Sequence, residues 1–174
     1  MNTPTAALRR PAAITGERWA VLGLGATGLS CARFLAARGA RVAAFDTRTT
    51  PPNLAEAKAL GVELRCGGLD AHSLDDYPHV AVSPGVPLDE PALAAARARG
   101  ADLVGDIEIF AWHARAPIAA VTGSNGKSTV TMLVSRILET ASRRVRAGAN
   151  LGTPALDLLE PPPPDAYVLE LSSF

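Results

Sequence analysis

Trp19-Ala20-Val21-Leu22-Gly23-Leu24-Gly25-Ala26-Thr27-Gly28 is the stretch that decides the fold class of this chain. Four apolar residues of strand character run into glycines spaced G-x-G-x-x-G, and a helical segment follows to about Arg38. Glycine permits the tight turn and the close approach of helix to strand that such a junction needs. Gly39 stops the helix, and Arg41 to Asp46 reads as the next strand. Asp46 stands eighteen positions beyond Gly28, the place from which an acidic residue reaches a ribose hydroxyl. By itself the pattern suggests NAD or FAD. A helix N-terminus for a pyrophosphate and a carboxylate for a ribose suit a nucleotide sugar equally well.

The alternation continues more weakly outward. Asn53 is placed to cap a helix ending at Gly61, Val80 to Ser83 is strand-like, and Glu90 to Arg99 is helical with Gly100 as its stop. Strands alternating with helices imply an α/β fold, a Rossmann-like parallel sheet covered on both faces. Near Gly105-Asp106-Ile107-Glu108 the chain enters a helical connection, and a new apolar strand, Ile118 to Thr122, begins after Pro117. The expected division is an arm over residues 1–17, a front domain over 18–110 and the start of a second domain over 111–174, with the boundary between about 105 and 117.

The second part opens on Thr122-Gly123-Ser124-Asn125-Gly126-Lys127-Ser128-Thr129. Strand, glycine turn, Lys-Ser and helix make a phosphate loop, because successive backbone N–H groups converge on one anion at the positive end of a helix. Lys127 would reach the β- and γ-phosphates, and the Ser128 hydroxyl would face Mg²⁺. The usual spacing requires glycine at 121, where valine stands, so this is a shortened variant. Val130, Leu133, Val134, Ile137, Leu138 and Ala141 then recur at helical spacing, which predicts an amphipathic helix lying on a core. A glycine turn at 148–152, a short helix, Pro161 to Pro164 and a strand over Tyr167 to Leu171 complete the chain. One helix and two strands bury little apolar surface, which suggests a truncated second domain.

Composition excludes several classes. The chain has 174 residues, 48% hydrophobic, which is ordinary for a globular protein. Seventeen basic residues balance seventeen acidic ones, so no overall positive field marks a general nucleic-acid binder. Lys58 and Lys127 are the lysines, and the second falls in the phosphate loop. Cys31 and Cys66 show no metal or disulfide spacing and suggest buried small hydrophobes in a reduced, cytoplasmic setting. Nothing resembles an export signal or a membrane span. His72, His79 and His113 match no motif and are expected at the surface; Arg9 and Arg10 are expected to be solvated tail charges.

Taken together, these residues resemble the Mur ligase family, and within it the members that add D-glutamate. The resemblance covers the chain from about Trp19 to Phe174. It rests on Gly23 to Cys31, Asp46-Thr47-Arg48, Ser83-Pro84-Gly85, Gly105 to Glu108, Thr122 to Thr129, Asn150-Leu151-Gly152 and Leu169 to Phe174. It implies that the front domain binds the UDP portion of a substrate rather than NAD. Gly25, Thr27, Gly28, Asp46 and Thr47 then resemble nucleotide contacts, and Ser83, Gly85 and Asn150 resemble contacts to the diphosphate and sugar. Gly123, Ser124, Asn125, Gly126, Lys127, Ser128 and Thr129 are the implied ATP loop, with Lys127 catalytic. Ser128 and Glu170 are the implied Mg²⁺ ligands.

The activity implied is ATP-dependent amide formation through an acyl phosphate. D-glutamate is added to UDP-N-acetylmuramoyl-L-alanine in peptidoglycan synthesis, and with it in cell shape and division. The implied protein is a cytoplasmic monomer with no nucleic-acid or membrane partner. The family's further lysine, carried as a carbamate, its histidine and its C-terminal amino-acid-binding domain would lie beyond Phe174. The expectation is an N-terminal fragment inactive alone; a non-catalytic nucleotide-binding module is the alternative.

Overall fold

The computed structural model describes residues 14–172; Arg9, Arg10, most of the expected arm, Ser173 and Phe174 lie outside them. The first glycine junction forms as its sequence requires. Strand β1 (Arg18–Leu22) leads through the glycines into α1 (Ala26–Ala36) and β2 (Arg41–Asp46). Helix α2 (Leu54–Ala59), β3 (Glu63–Cys66), β4 (His79–Val82), α3 (Pro91–Ala98) and β5 (Asp102–Val104) follow. The five strands form one parallel sheet in the order β3-β2-β1-β4-β5. The chain therefore winds outward from β1 in one direction and from β4 in the other. A crevice opens beyond the carboxyl ends of β1 and β4, where the order reverses and ligands of such sheets bind.

Helix α4 (Asp106–His113) then leads to β6 (Ile118–Val121), α5 (Lys127–Thr140), β7 (Val145–Ala149), a 3-10 helix (Ala155–Leu159) and β8 (Ala166–Glu170). These strands make a second parallel sheet, β6-β8-β7. The phosphate loop, the turn after β7 and Glu170 all emerge at its carboxyl edge.

The two sheets do not have separate interiors. Trp19, Val21, Leu29, Phe34 and Leu35 of the front sheet and α1 belong to one apolar cluster with Ile109 and Phe110 of α4. The same cluster takes in Ala155, Leu156 and Leu158 of the 3-10 helix and Tyr167 and Leu169 of β8. Phe110 and Tyr167 meet edge to face with ring centres 4.9 Å apart. A smaller cluster of Leu22, Phe45, Leu74, Tyr77, Val80 and Leu93 fills the other face of the front sheet.

Several expectations are corrected. The apolar stripe of α5 does not lie on a core: Val130, Leu133 and Ile137 are 46%, 58% and 58% exposed, while Thr131 and Ser135 face inward. The helix meets its sheet through a narrow strip, with Thr131 fully buried at its centre. Asn53 precedes α2 but makes no side-chain cap; its amide donates instead to the Leu24 carbonyl at 3.1 Å. His79 is not at the surface, since its ring stacks on Trp19 at 4.8 Å with 13% of the side chain exposed. His113 is half-buried and its Nδ1 lies 2.8 Å from the Ile109 carbonyl. Cys31 is buried as expected, but Cys66 is partly exposed.

Candidate functional site

Sterics fix the front loop first. Gly23 has φ +86°, a conformation that L side chains resist. A Cβ on Gly28 would sit 1.7 Å from the Gly23 carbonyl oxygen, so the start of α1 touches the loop with no room for a side chain. The Gly23 amide donates to the Phe45 carbonyl at 2.8 Å and the Ser83 amide to Leu22 at 3.0 Å. The Ser83 hydroxyl donates back to the Gly23 carbonyl at 3.2 Å. Loops from β1, β2 and β4 are thus laced together at the crevice. The first backbone bond of α1 runs from Leu29 N–H to the Gly25 carbonyl. The amides of Ala26, Thr27 and Gly28 are the helix's open N-terminal donors, the arrangement that favours a phosphate.

Asp46 is buried and its carboxylate is saturated. The Leu24 amide donates to Oδ2 at 2.8 Å and the Arg48 amide to Oδ1 at 2.9 Å. The Arg48 guanidinium donates at 2.8 and 2.7 Å in a two-pronged grip. The Arg48 hydrogen bonds, outweighing burial and assisted by the Leu24 amide, hold the carboxyl down at about 2. All four acceptor directions are taken. Asp46 therefore orders the loop and aims Arg48 more than it offers itself to a ribose.

A cavity of about 440 Å³ lies over this arrangement. Among its lining residues are Gly25, Thr27, Asp46, Thr47, Ser83, Gly85 and, from the second sheet, Asn150. Gly28 shapes the loop from beneath without lining the cavity. Arg48, Leu69, Val86 and Glu90 also line it and were not foreseen as site residues. Arg48 could have been found from its spacing, because a cation two residues past a strand-end carboxylate is placed to pair with it.

The phosphate loop shows the same logic. Gly123 and Gly126 have φ +146° and +74°, and α5 begins directly at Lys127. The first bond of that helix joins Val130 N–H to the Gly126 carbonyl, which leaves the amides of Lys127, Ser128 and Thr129 as open N-terminal donors. Lys127 Nζ folds back to donate to the Gly123 carbonyl at 2.8 Å. The Thr122 hydroxyl donates to the Ser172 carbonyl at 3.1 Å, tying the end of β6 to the residues after β8. Ser124 and Asn125 form the exposed crown of the loop.

Glu170 closes the second sheet and is 7% exposed. Its Oε2 is buried without a hydrogen-bond partner among the described residues. An unpaired buried carboxylate oxygen is costly unless a cation or donor meets it. No group of three or more His, Cys, Asp or Glu able to hold a metal occurs among the described residues. A hard cation here would take Glu170, the Ser128 hydroxyl, water and ligand oxygens, a set suited to Mg²⁺. The Asn150 amide donates to the Glu170 carbonyl at 3.0 Å, and its side chain donates to the Ser172 hydroxyl at 2.7 Å. One residue thus touches both the front cavity and the carboxyl edge of the second sheet.

Comparison with known proteins agrees with this anatomy. Residues 17–105 match the family described as Mur ligase MurD-like, N-terminal domain. The chain is 56% identical over 156 residues to the UDP-N-acetylmuramoylalanine--D-glutamate ligase of Nitrosococcus oceani, covering 88% of this chain and 34% of that protein. It is 50% identical over 163 residues to the enzyme of the same name from Marinobacter nauticus, covering 92% of this chain and 36% of the other. It therefore spans about a third of the length of these relatives. Among solved structures it resembles a pseudomurein peptide ligase type C from Methanothermus fervidus, with TM-score 0.53 and 24% identity over 91% of this chain and 33% of that one. It also resembles the UDP-N-acetylmuramate:L-alanyl-gamma-D-glutamyl-meso-diaminopimelate ligase from Neisseria meningitides, with TM-score 0.56 and 19% identity over 92% of this chain and 55% of the other. The last two likenesses are of fold.

Proposed function

The chain belongs to the MurD-like Mur ligases, and from that premise we propose that it is the nucleotide-handling part of an ATP-dependent ligase. In this reading the whole protein joins D-glutamate to UDP-N-acetylmuramoyl-L-alanine in peptidoglycan synthesis. Its setting is the cytoplasm and it acts as a monomer without nucleic-acid or membrane partners. Among the described residues, no helix is long and apolar enough to cross a membrane. Residues 18–110 bind the UDP substrate and residues 111–174 begin the ATP-binding domain.

The observation that carries the reading is the position of Asn150, which lines the front cavity while its amide is bonded to Glu170 beside the phosphate loop. A substrate held by its nucleotide in the front cleft would extend along Asn150 toward Lys127. The amides of Ala26 to Gly28 receive the diphosphate; Thr27, Thr47 and Arg48 flank the nucleoside; Ser83 and Gly85 border the sugar side. Asp46 acts through the Leu24 amide and Arg48.

At the second site the amides of residues 123 to 129 and the Lys127 ammonium receive the ATP phosphates. Ser128 and Glu170 would hold Mg²⁺, which when bound neutralises phosphoryl oxygens. The substrate carboxylate and those oxygens repel each other, so Lys127 must lower that repulsion while the two clefts fix the line of approach. The carboxylate oxygen then takes the γ-phosphoryl group and ADP departs. The amine of D-glutamate attacks the acyl phosphate, phosphate leaves and an amide remains.

Calorimetric titration of the 174-residue chain with UDP-N-acetylmuramoyl-L-alanine and, separately, with NAD⁺ tests the front cleft. Binding of the first and not the second is expected; the reverse outcome would overturn the reading.

A further inference from the structure

We propose that Asp157 is a positioning residue, which sets Asn150 against the front cleft by clamping the second sheet's return segment onto α1. The inference rests on the reading of that cleft as the nucleotide-sugar site. Asp157 lies on the 3-10 helix, 127 residues beyond Ser30, yet the Ser30 hydroxyl donates to its Oδ1 at 2.7 Å. Arg33 donates to the same carboxylate at 3.2 and 3.3 Å. Ser30 is 2% exposed, and this is the bond its hydroxyl makes. A buried hydroxyl is poorly tolerated without a partner, so the contact resists breaking. The 3-10 helix is further seated by Ala155, Leu156 and Leu158, which enter the cluster containing Leu29 and Phe34 of α1.

The path from Asp157 back to Asn150 has little slack. Ala149 holds φ +74°, a left-handed conformation that a residue with a Cβ adopts only where its surroundings impose it. Its amide donates to the Thr153 carbonyl at 2.8 Å, closing the turn that carries Asn150. A Cβ on Gly148 would meet that same Thr153 oxygen at 2.5 Å and Leu158 Cδ1 at 3.0 Å, so the turn is pressed against the 3-10 helix. Helix α1 supplies one wall of the cleft with its N-terminus and anchors Asp157 one to two turns later. The other wall, Asn150, is tied to that anchor through the six intervening residues. Asp157 thereby converts the docking of two sheets into a fixed distance between two walls of one site.

Two measurements on the full 174-residue chain test this. Hydrogen exchange of the Asn150 amide, followed without ligand, should accelerate at least about tenfold in Asp157→Ala and in Ser30→Ala, while amides of β1 and β2 stay protected. Asp157→Asn retains an acceptor for Ser30 and should restore most of the protection. In calorimetry with UDP-N-acetylmuramoyl-L-alanine, Asp157→Ala should weaken binding by about tenfold. Asn150→Ala should weaken it in the parent and add little on top of Asp157→Ala. Unchanged Asn150 exchange in folded variants, or affinity losses that simply multiply, would overturn the proposal. Failure of the parent to bind the ligand would instead refute the function assigned to the cleft, and the exchange data would still decide the clamp.

Discussion

The Leu24 amide and the Asp46 carboxylate meet across 2.8 Å in the interior of the front loop, twenty-two residues apart in sequence. This bond pins the glycine turn to the end of the neighbouring strand, and the other carboxylate bonds bring Arg48 to the rim of the cavity. The loop's shape thus depends on Asp46 remaining ionised.

That dependence has a definite sign. Asp46 in the folded chain is held at about 2, below its ordinary value of 3.8. Its contribution is therefore complete above the ordinary value and is lost as pH falls through the folded one, amounting to about 2 kcal/mol. In urea unfolding, Asp46→Asn should be less stable than the parent by that amount near neutral pH. The gap should shrink as pH falls from about 4 to 2. A gap independent of pH would show that the carboxylate's charge is not what holds the loop.

Gly28→Ala should be among the most damaging small substitutions. The added methyl would lie 1.7 Å from the Gly23 carbonyl and 2.8 Å from the Ser83 hydroxyl, and backbone must move to admit it. A loss of about 3 kcal/mol in denaturant unfolding is expected. Gly25→Ala offers the control, since a methyl added there would have nothing within 4 Å of it.

Lys127→Ala should separate the two nucleotide sites. The ammonium that now caps the Gly123 carbonyl at 2.8 Å is the charge we propose for phosphate oxygens. Its removal should weaken ATP binding by about tenfold or more, the equivalent of one charge-assisted hydrogen bond. Binding of UDP-N-acetylmuramoyl-L-alanine in the front cleft should be unchanged, as calorimetry with each ligand would reveal.

Leu133→Lys tests the orientation of α5. With Leu133 58% exposed, the change should alter the stability of this chain by no more than about 0.5 kcal/mol. Thr131→Leu, at a fully buried position facing the sheet, should cost about 1–3 kcal/mol through overpacking. Equal effects at both positions would contradict the observed rotation of the helix.

These contrasts show what was legible in the residues and what was not. The junctions at Gly23 to Gly28 and Gly123 to Ser128 are legible because both need glycine at positive φ before open helix amides, and the first also needs the close approach at Gly28. Strands β3, β5 and β7 carry no readable strand signal. Each is five residues or fewer and sits at a sheet edge, and Gly148 of β7 is the one buried position among them. The apolar spacing of α5 correctly announced a helix but not what would cover it, since periodicity describes a face and not its neighbour. Asn53 precedes α2 as its sequence suggests, but its partner is not local, because the Leu24 carbonyl it serves lies in the glycine loop twenty-nine residues earlier. Asp157 carried no local signal at all; its partners lie 124 and 127 residues away.

In the function proposed, one substrate runs from the front cleft, past Asn150, to the phosphate loop. A crystal structure of the chain with UDP-N-acetylmuramoyl-L-alanine bound measures this most directly. The diphosphate is expected against the amides of Ala26, Thr27 and Gly28, with the free carboxylate directed to the side of Lys127 and Glu170. A ligand seated outside the cleft, or lying in it with its carboxylate turned away from Lys127, would contradict it.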